Sequence, residues 1–178
     1  MTEEKLMGNE RRHKILTWLK ESQEPLTGSE LAKKTKVSRQ VIVQDISLLK
    51  AKDEPIIATS RGYVYFQKSE KQKHVQVIAC KHDQSGTEQE LNLLVDNGVC
   101  VRDVIVEHPI YGQITTSLML NNRRDVQHFI KKVNETGASL LSALTEGIHL
   151  HTIESEDQKR LSDACEALKK EGFLIDND

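Results

Sequence analysis

The stretch Val37-Ser-Arg-Gln-Val-Ile-Val-Gln-Asp-Ile-Ser-Leu-Leu-Lys50 decides how the front of this 178-residue chain is read. Ser38 is a natural N-cap, and Ile42, Ile46 and Leu49 recur at helical spacing, so one side of the helix can face a core. Arg39, Gln40, Val43, Gln44 and Ser47 fall outside that stripe. When a helix lies in the major groove of DNA, such side chains reach phosphates and base edges, Arg toward guanine and Gln toward adenine. Alone, the pattern also describes an ordinary solvated helix, so its neighbours decide.

On the N-terminal side, Ile15, Leu16, Trp18 and Leu19 sit at helical spacing between Asn9 and Ser22, and Pro25 closes the connection. Thr27 or Gly28 opens a short helix, Ser29 to Thr35, with Leu31 and Ala32 turned inward. Lys36-Val37 is the turn, Val37 plugging the angle. Two helices joined this way make a helix-turn-helix. On the C-terminal side, a loop ending at Pro55 leads to two β-rich runs, Pro55 to Thr59 and Tyr63 to Phe66, joined by Ser60-Arg61-Gly62. Gly62 supplies the positive φ of a tight hairpin, giving a two-stranded wing with Arg61 near its tip. There Arg61 is either a phosphate or minor-groove contact or a solvated turn residue, and the adjoining helix-turn-helix favours contact.

A hydrophobic content of 37% with 29% charged residues is that of a globular protein with a core. No apolar run reaches the roughly 20 residues that cross a bilayer, and Met1 to Glu10 lacks a secretory apolar region, so a cytoplasmic location without membrane association is expected. Cys80, Cys100 and Cys165 are odd in number and contain no Cys-x-x-Cys pair, which suits reduced thiols. The net charge of -2 conceals an asymmetry. Residues 1–68 hold 13 Lys and Arg against 9 Asp and Glu, +4, and the remainder hold 12 against 18, -6. A basic head on an acidic body suits local phosphate contact.

The polar stretch 67–73 is read as linking two domains, residues 1–68 and 74–178, with 69–73 as the linker proper. Beyond it, a strand at His74 to Cys80, a helix from Thr87 to Asn97 capped by Thr87 and ended by Gly98, and strands at Val101 to Glu107 and Ile114 to Leu120 are expected. A helix over Asn122 to Thr136, a strand at Ile148 to Ile153, a helix from Asp157 to Glu171 and a short strand Phe173 to Ile175 follow, with Ser139 to Leu144 left unassigned. The order β-α-β-β-α-β-α points to an α+β sandwich, one sheet with helices on one face.

His149 and His151 are two apart on a strand, which puts both imidazoles on one face within reach of a single ion. His82 and Glu90 bracket a strand-to-helix connection. Together they make a set of three nitrogens and one oxygen, suited to Zn²⁺, Ni²⁺, Fe²⁺ or Mn²⁺, with Asp83 and Glu146 as spare ligands. A His-x-His strand can equally be a solvated face. His108-Pro-Ile-Tyr-Gly112 places an imidazole, a phenol and a turn glycine together, either to hold a small planar ligand or as a proline turn.

With Ser38-Arg-Gln-Val-Ile-Val-Gln-Asp-Ile46 and Pro55-Ile-Ile-Ala-Thr-Ser-Arg-Gly-Tyr63 on the page, the chain resembles the niacin-responsive repressors of the NiaR type. In these a winged helix-turn-helix precedes a 3H domain named for three histidines. The resemblance implies a C-terminal fold like that of the histidine-containing phosphocarrier proteins and a homodimer on double-stranded operator DNA of NAD-biosynthesis or niacin-uptake genes. It also implies nicotinic acid as co-repressor and one divalent metal per subunit at His82, Glu90, His149 and His151. It maps a third family histidine to His108, near the effector with Tyr111. DNA contact is expected from Ser38, Arg39, Gln40, Val43, Gln44 and Arg61, although Gln44 stands where many relatives carry Arg. No catalytic residue is assigned. The rival readings are a metal-dependent small-molecule enzyme with a three-His, one-Glu site, to which Gly147-Ile-His-Leu-His151 superficially conforms, and a pure protein-interaction module.

Overall fold

A computed structural model describes residues 7–66 and 73–175, so the expected linker at 69–73 lies outside the described residues except for Lys73. Contacts divide the chain into two compact units, Met1–Lys68 and Ser69–Asp178.

The first unit runs α1 (Gly8–Glu21), α2 (Gly28–Thr35), α3 (Arg39–Lys50), β1 (Ile56–Thr59) and β2 (Gly62–Tyr65). Thr27 caps α2 through a reciprocal pair with Glu30: the Thr27 hydroxyl oxygen accepts the Glu30 amide at 3.1 Å, and the Glu30 carboxylate accepts the Thr27 amide at 2.7 Å. Lys36 ends the helix in the left-handed region, φ 55°, which turns the chain so that Val37 packs on the core of Ile15, Leu31, Ile42 and Ile46. The Ser38 hydroxyl then accepts the Val41 amide and starts α3. Gly62 does more than close the wing. At φ +141° it lets Tyr63 bond Leu26 in both directions, at 2.8 and 2.9 Å, where a Cβ would stand 2.7 Å from the Leu26 carbonyl oxygen.

Asp45, on the core side of α3 and 2% exposed, holds this helix to α1. Its carboxylate accepts from Arg11 Nε at 2.5 Å and from Arg12 Nη1 at 3.1 Å. A carboxylate buried this deeply needs a fixed counter-charge, so the pair specifies how α3 lies against α1.

The second unit runs β3 (His74–Lys81), α4 (Thr87–Asp96), β4 (Cys100–His108), β5 (Gly112–Leu120), α5 (Arg123–Thr136), β6 (Ile148–Ser155) and α6 (Gln158–Lys170). The expected α+β order is found, built on an antiparallel sheet in the order β3-β6-β4-β5. Helices α4, α5 and α6 share one core with the sheet around Ile78, Leu91, Val101, Leu120, Ile153 and Leu161. Three details differ from expectation. Thr87 is the first residue of α4 and not its cap, because a 3-10 turn at Gln84–Gly86, capped by Asp83, precedes it. Residues Leu141–Thr145 form a second 3-10 turn. The expected last strand is a single bridge, Leu174 to Cys80. Among the described residues no helix is long and apolar enough to cross a membrane.

Asp45 is 2% exposed and accepts from both Arg11 and Arg12, so Asp45→Ala should destabilise the first unit by about 3 kcal/mol, the range for breaking a buried ion pair. Trp18 is the chain's only tryptophan and packs on this core, so denaturant unfolding followed by its fluorescence reads that unit. A loss below about 1 kcal/mol, the range of an exposed pair, would show that the contact does not matter.

Candidate metal centre and nucleic-acid interface

Glu90, in the first turn of α4, is completely buried, and three imidazoles surround its carboxylate. The Nε2 atoms of His82, His149 and His151 stand 2.7, 3.2 and 3.5 Å from its oxygens. The sheet explains the convergence. Cys80 pairs with His149 and Ile78 with His151, so both rings rise from one face of β6, beside the end of β3 that carries His82.

What lies behind each ring is equally informative. Nδ1 of His82 contacts the Asp83 carbonyl at 2.6 Å, Nδ1 of His149 the Gly147 carbonyl at 2.9 Å, and Nδ1 of His151 the Asp103 carbonyl at 2.6 Å. A carbonyl only accepts, so every Nδ1 carries the proton and every neutral ring turns a bare Nε2 lone pair toward an anionic carboxylate. Acceptors of His82 and His149 thus crowd the Glu90 carboxylate, with His151 outside that compact group but 3.5 Å from the same carboxylate, and only positive charge makes that arrangement favourable. Protons can supply it. Burial is the largest single influence at His82 and His151 and works against the cation, but the Glu90 hydrogen bond and charge together with the backing contacts of Asp83 and Asp103 outweigh it and raise both pKa values, while burial of Glu90 is outweighed by the three imidazoles, which hold its carboxyl well below the usual range. A divalent ion supplies the charge as well. Nδ1-backed imidazoles and a carboxylate are a usual donor set for one. Ligand atoms of His82, Glu90 and His149 all lie within 4.8 Å of one another. The residues fit a metal.

The cluster forms the floor of a cavity of about 200 Å³ whose walls include Leu118, Phe129, Leu140 and Leu141. Asp83 and Glu146 are both exposed, and Asp83 spends its carboxylate on Ser85. His108 and Tyr111 do not line the cavity. They stack on each other, centroids 5.0 Å apart, at the β4–β5 turn, where Tyr111 is 77% exposed and His108 accepts the amides of Ile110 and Tyr111. The third histidine beside Glu90 is His82, and His108 lies at the β4–β5 turn.

Sequence reading missed Gly147 and Gly86. At Gly147, φ +89°, a Cβ would stand 2.1 Å from the His82 carbonyl oxygen, and at Gly86 it would stand 3.0 Å from the His82 ring. These two glycines let the His82 loop, the β6 entry and the α4 entry meet. A glycine two residues ahead of His-x-His was the available signal.

In the first unit Ser38, Arg39, Gln40, Gln44 and Ser47 are exposed along α3 and Val43 is half-buried, as a reading helix requires. Arg61 is paired with Glu24 at 2.6 Å, on a side chain 75% exposed. A surface pair of this kind contributes about 0–1 kcal/mol and can be exchanged for a phosphate.

Comparison with known proteins gives the same division. An HTH domain model matches residues 11–64 and a 3H domain model residues 75–177. The chain is 58% identical over 179 residues to the transcription repressor NadR of Bacillus subtilis, covering 98% of this chain and 99% of that protein. It is 39% identical over 172 residues to the probable transcription repressor NiaR of Thermotoga maritima, covering 97% of each.

Gly147→Ala should push the His82 loop away from Glu90 and lower zinc affinity roughly 10- to 100-fold, read by competition with a chelating dye; unaltered affinity would contradict the geometry. Acidification gives an independent check. Because His82 and His151 are raised above 6.5, protons compete with the metal from a higher pH than free histidine would allow. Affinity should therefore fall as the pH drops through a range above 6.5 and be flat at higher pH, and a fall confined to the acid side of 6.5 would contradict this.

Proposed function

The chain belongs to the family of transcription repressors that join an HTH domain to a 3H domain, and on that premise we propose that it represses NAD-biosynthesis or niacin-uptake genes with nicotinic acid as co-repressor. One observation supports this reading most: a buried cluster of cation-seeking ligands lining a mostly apolar cavity. Such a cavity suits a flat ring bearing one negative group. An apolar cavity of about 150 Å³ already holds benzene, so about 200 Å³ leaves room for a pyridine ring with a carboxylate. His82, Glu90, His149 and His151 would hold the metal, which when bound supplies positive charge for an anionic ligand at the cavity floor.

The chain's own residues do the rest. Phe129, Leu118 and Leu140 exclude water from the ring of the effector. The Asp83, Gly147 and Asp103 carbonyls keep the imidazoles in the tautomer that binds cations. On the DNA side, Arg39, Gln40 and Gln44 face base edges, Ser38 and Arg61 face phosphates, and Val43 offers an apolar contact to a thymine methyl. Two subunits, joined through their 3H domains, would set their α3 helices into successive major grooves of a near-palindromic operator in the cytoplasm. The regulator reading displaces the enzyme alternative built on Gly147-Ile-His-Leu-His151, since both relatives are named for repression.

Linkage makes this testable, because effector and operator must tighten each other's binding by one common factor. Fluorescence anisotropy of labelled promoter fragments from such genes should show nicotinate raising affinity of the zinc-loaded protein by roughly 5- to 150-fold. His149→Ala should keep the weak basal DNA binding and lose the response. Equal affinity with and without nicotinate, in the presence of zinc, would remove the co-repressor assignment.

A further inference from the structure

His82 and His149 take their Nδ1 acceptors from loop carbonyls, Asp83 and Gly147. His151 lies within β6, where main-chain carbonyls are ordinarily committed to neighbouring strands in the plane of the sheet. Its acceptor is nevertheless a strand carbonyl, that of Asp103 on β4. The sheet departs from regularity at this place. Val101 pairs with Ile153 and Ile105 with Leu150, so three residues of β4, Arg102, Asp103 and Val104, face only Thr152 and His151 on β6. This is a β-bulge, the device by which a strand re-aims its groups. The β4–β5 register also shifts between Val101 and Asp103, and Met119 of β5 adopts φ 57° there.

Within the bulge Asp103 bonds β6 twice. Its carboxylate Oδ1 accepts the Thr152 amide at 2.9 Å, and its main-chain carbonyl accepts Nδ1–H of His151 at 2.6 Å. A side-chain oxygen therefore serves the amide that a regular ladder would give to a main-chain oxygen, and the main-chain oxygen serves the ring. The His151 ring is 3% exposed, so without this carbonyl its Nδ1–H would be buried with no acceptor, or the ring would change tautomer and present Nδ1 instead.

We propose that Asp103 is the positioning residue for His151: by holding the Thr152 amide, its carboxylate maintains the bulge that turns its own carbonyl onto the ring and keeps Nε2 bare toward Glu90. The proposal rests on reading the cluster as a metal site, and two readouts keep the claims apart. In the full-length protein, Asp103→Ala should weaken zinc binding roughly 10- to 100-fold. Asp103→Asn, which loses the charge but retains an oxygen for the Thr152 amide, should bind zinc almost as wild type does. Long-range proton–nitrogen correlation spectra of the metal-free protein, at alkaline pH where the rings are neutral, should show His151 protonated on Nδ1 in wild type and Asp103→Asn. They should show mixed tautomers in Asp103→Ala. If Asp103→Ala does not fold, Asp103→Ser, whose hydroxyl is too short to span the same gap, takes its place with the same expectation. An Nδ1 tautomer that survives Asp103→Ala overturns the proposal whatever the metal does, as does zinc affinity equal to wild type. A wild type that takes up no zinc overturns the metal-site reading instead, and the tautomer comparison still decides the role of Asp103.

Discussion

The second unit is organised around an electrostatic problem: a fully buried carboxylate, Glu90, faced by three imidazole lone pairs. A buried charge without compensation costs several kcal/mol, and surrounding it with further acceptors adds to that cost. Positive charge on the imidazoles, or a cation of the kind proposed above, would offset that cost. The backing carbonyls of Asp83, Asp103 and Gly147 spend three main-chain acceptors on keeping the imidazoles ready for it. Strand pairing, the two glycines beside His82 and the bulge in β4 all serve that one geometry.

The first unit contains a buried carboxylate too, and the contrast separates frame from switch. Asp45 meets the guanidinium groups of Arg11 and Arg12, whose positive charge is permanent. That pair is complete within the chain and holds α3 at one attitude to α1. Glu90 meets imidazoles, which, unlike a guanidinium, can also present a lone pair to a cation. The same class of acidic residue therefore fixes α3 against α1 in one unit and gathers three imidazoles in the other.

Much of this was legible in the sequence. Alternation along Ile148 to Ile153 put His149 and His151 on one face, and the capped, amphipathic run after Ser38 exposed Arg39, Gln40 and Gln44. What escaped was long-range. Asp45 looks like one more polar residue of α3 until Arg11, 34 positions earlier, is seen against it. The β4 bulge depends on register between strands about 50 residues apart, which periodicity within one strand does not carry. His108 is a different case: beside proline, tyrosine and glycine it suggests a ligand nest, and in the turn its ring accepts the amides of Ile110 and Tyr111. Gly147 gave a faint signal, since close approach to the His82 carbonyl leaves no mark except the absence of a side chain.

X-ray absorption at the metal edge of the purified full-length protein, loaded with zinc and dialysed, tests the central claim most directly. One ion per chain, in a shell of nitrogen and oxygen with the outer scattering of several imidazoles, is the predicted result. No retained ion, or a shell containing sulfur from Cys80 in place of the imidazoles, would contradict it.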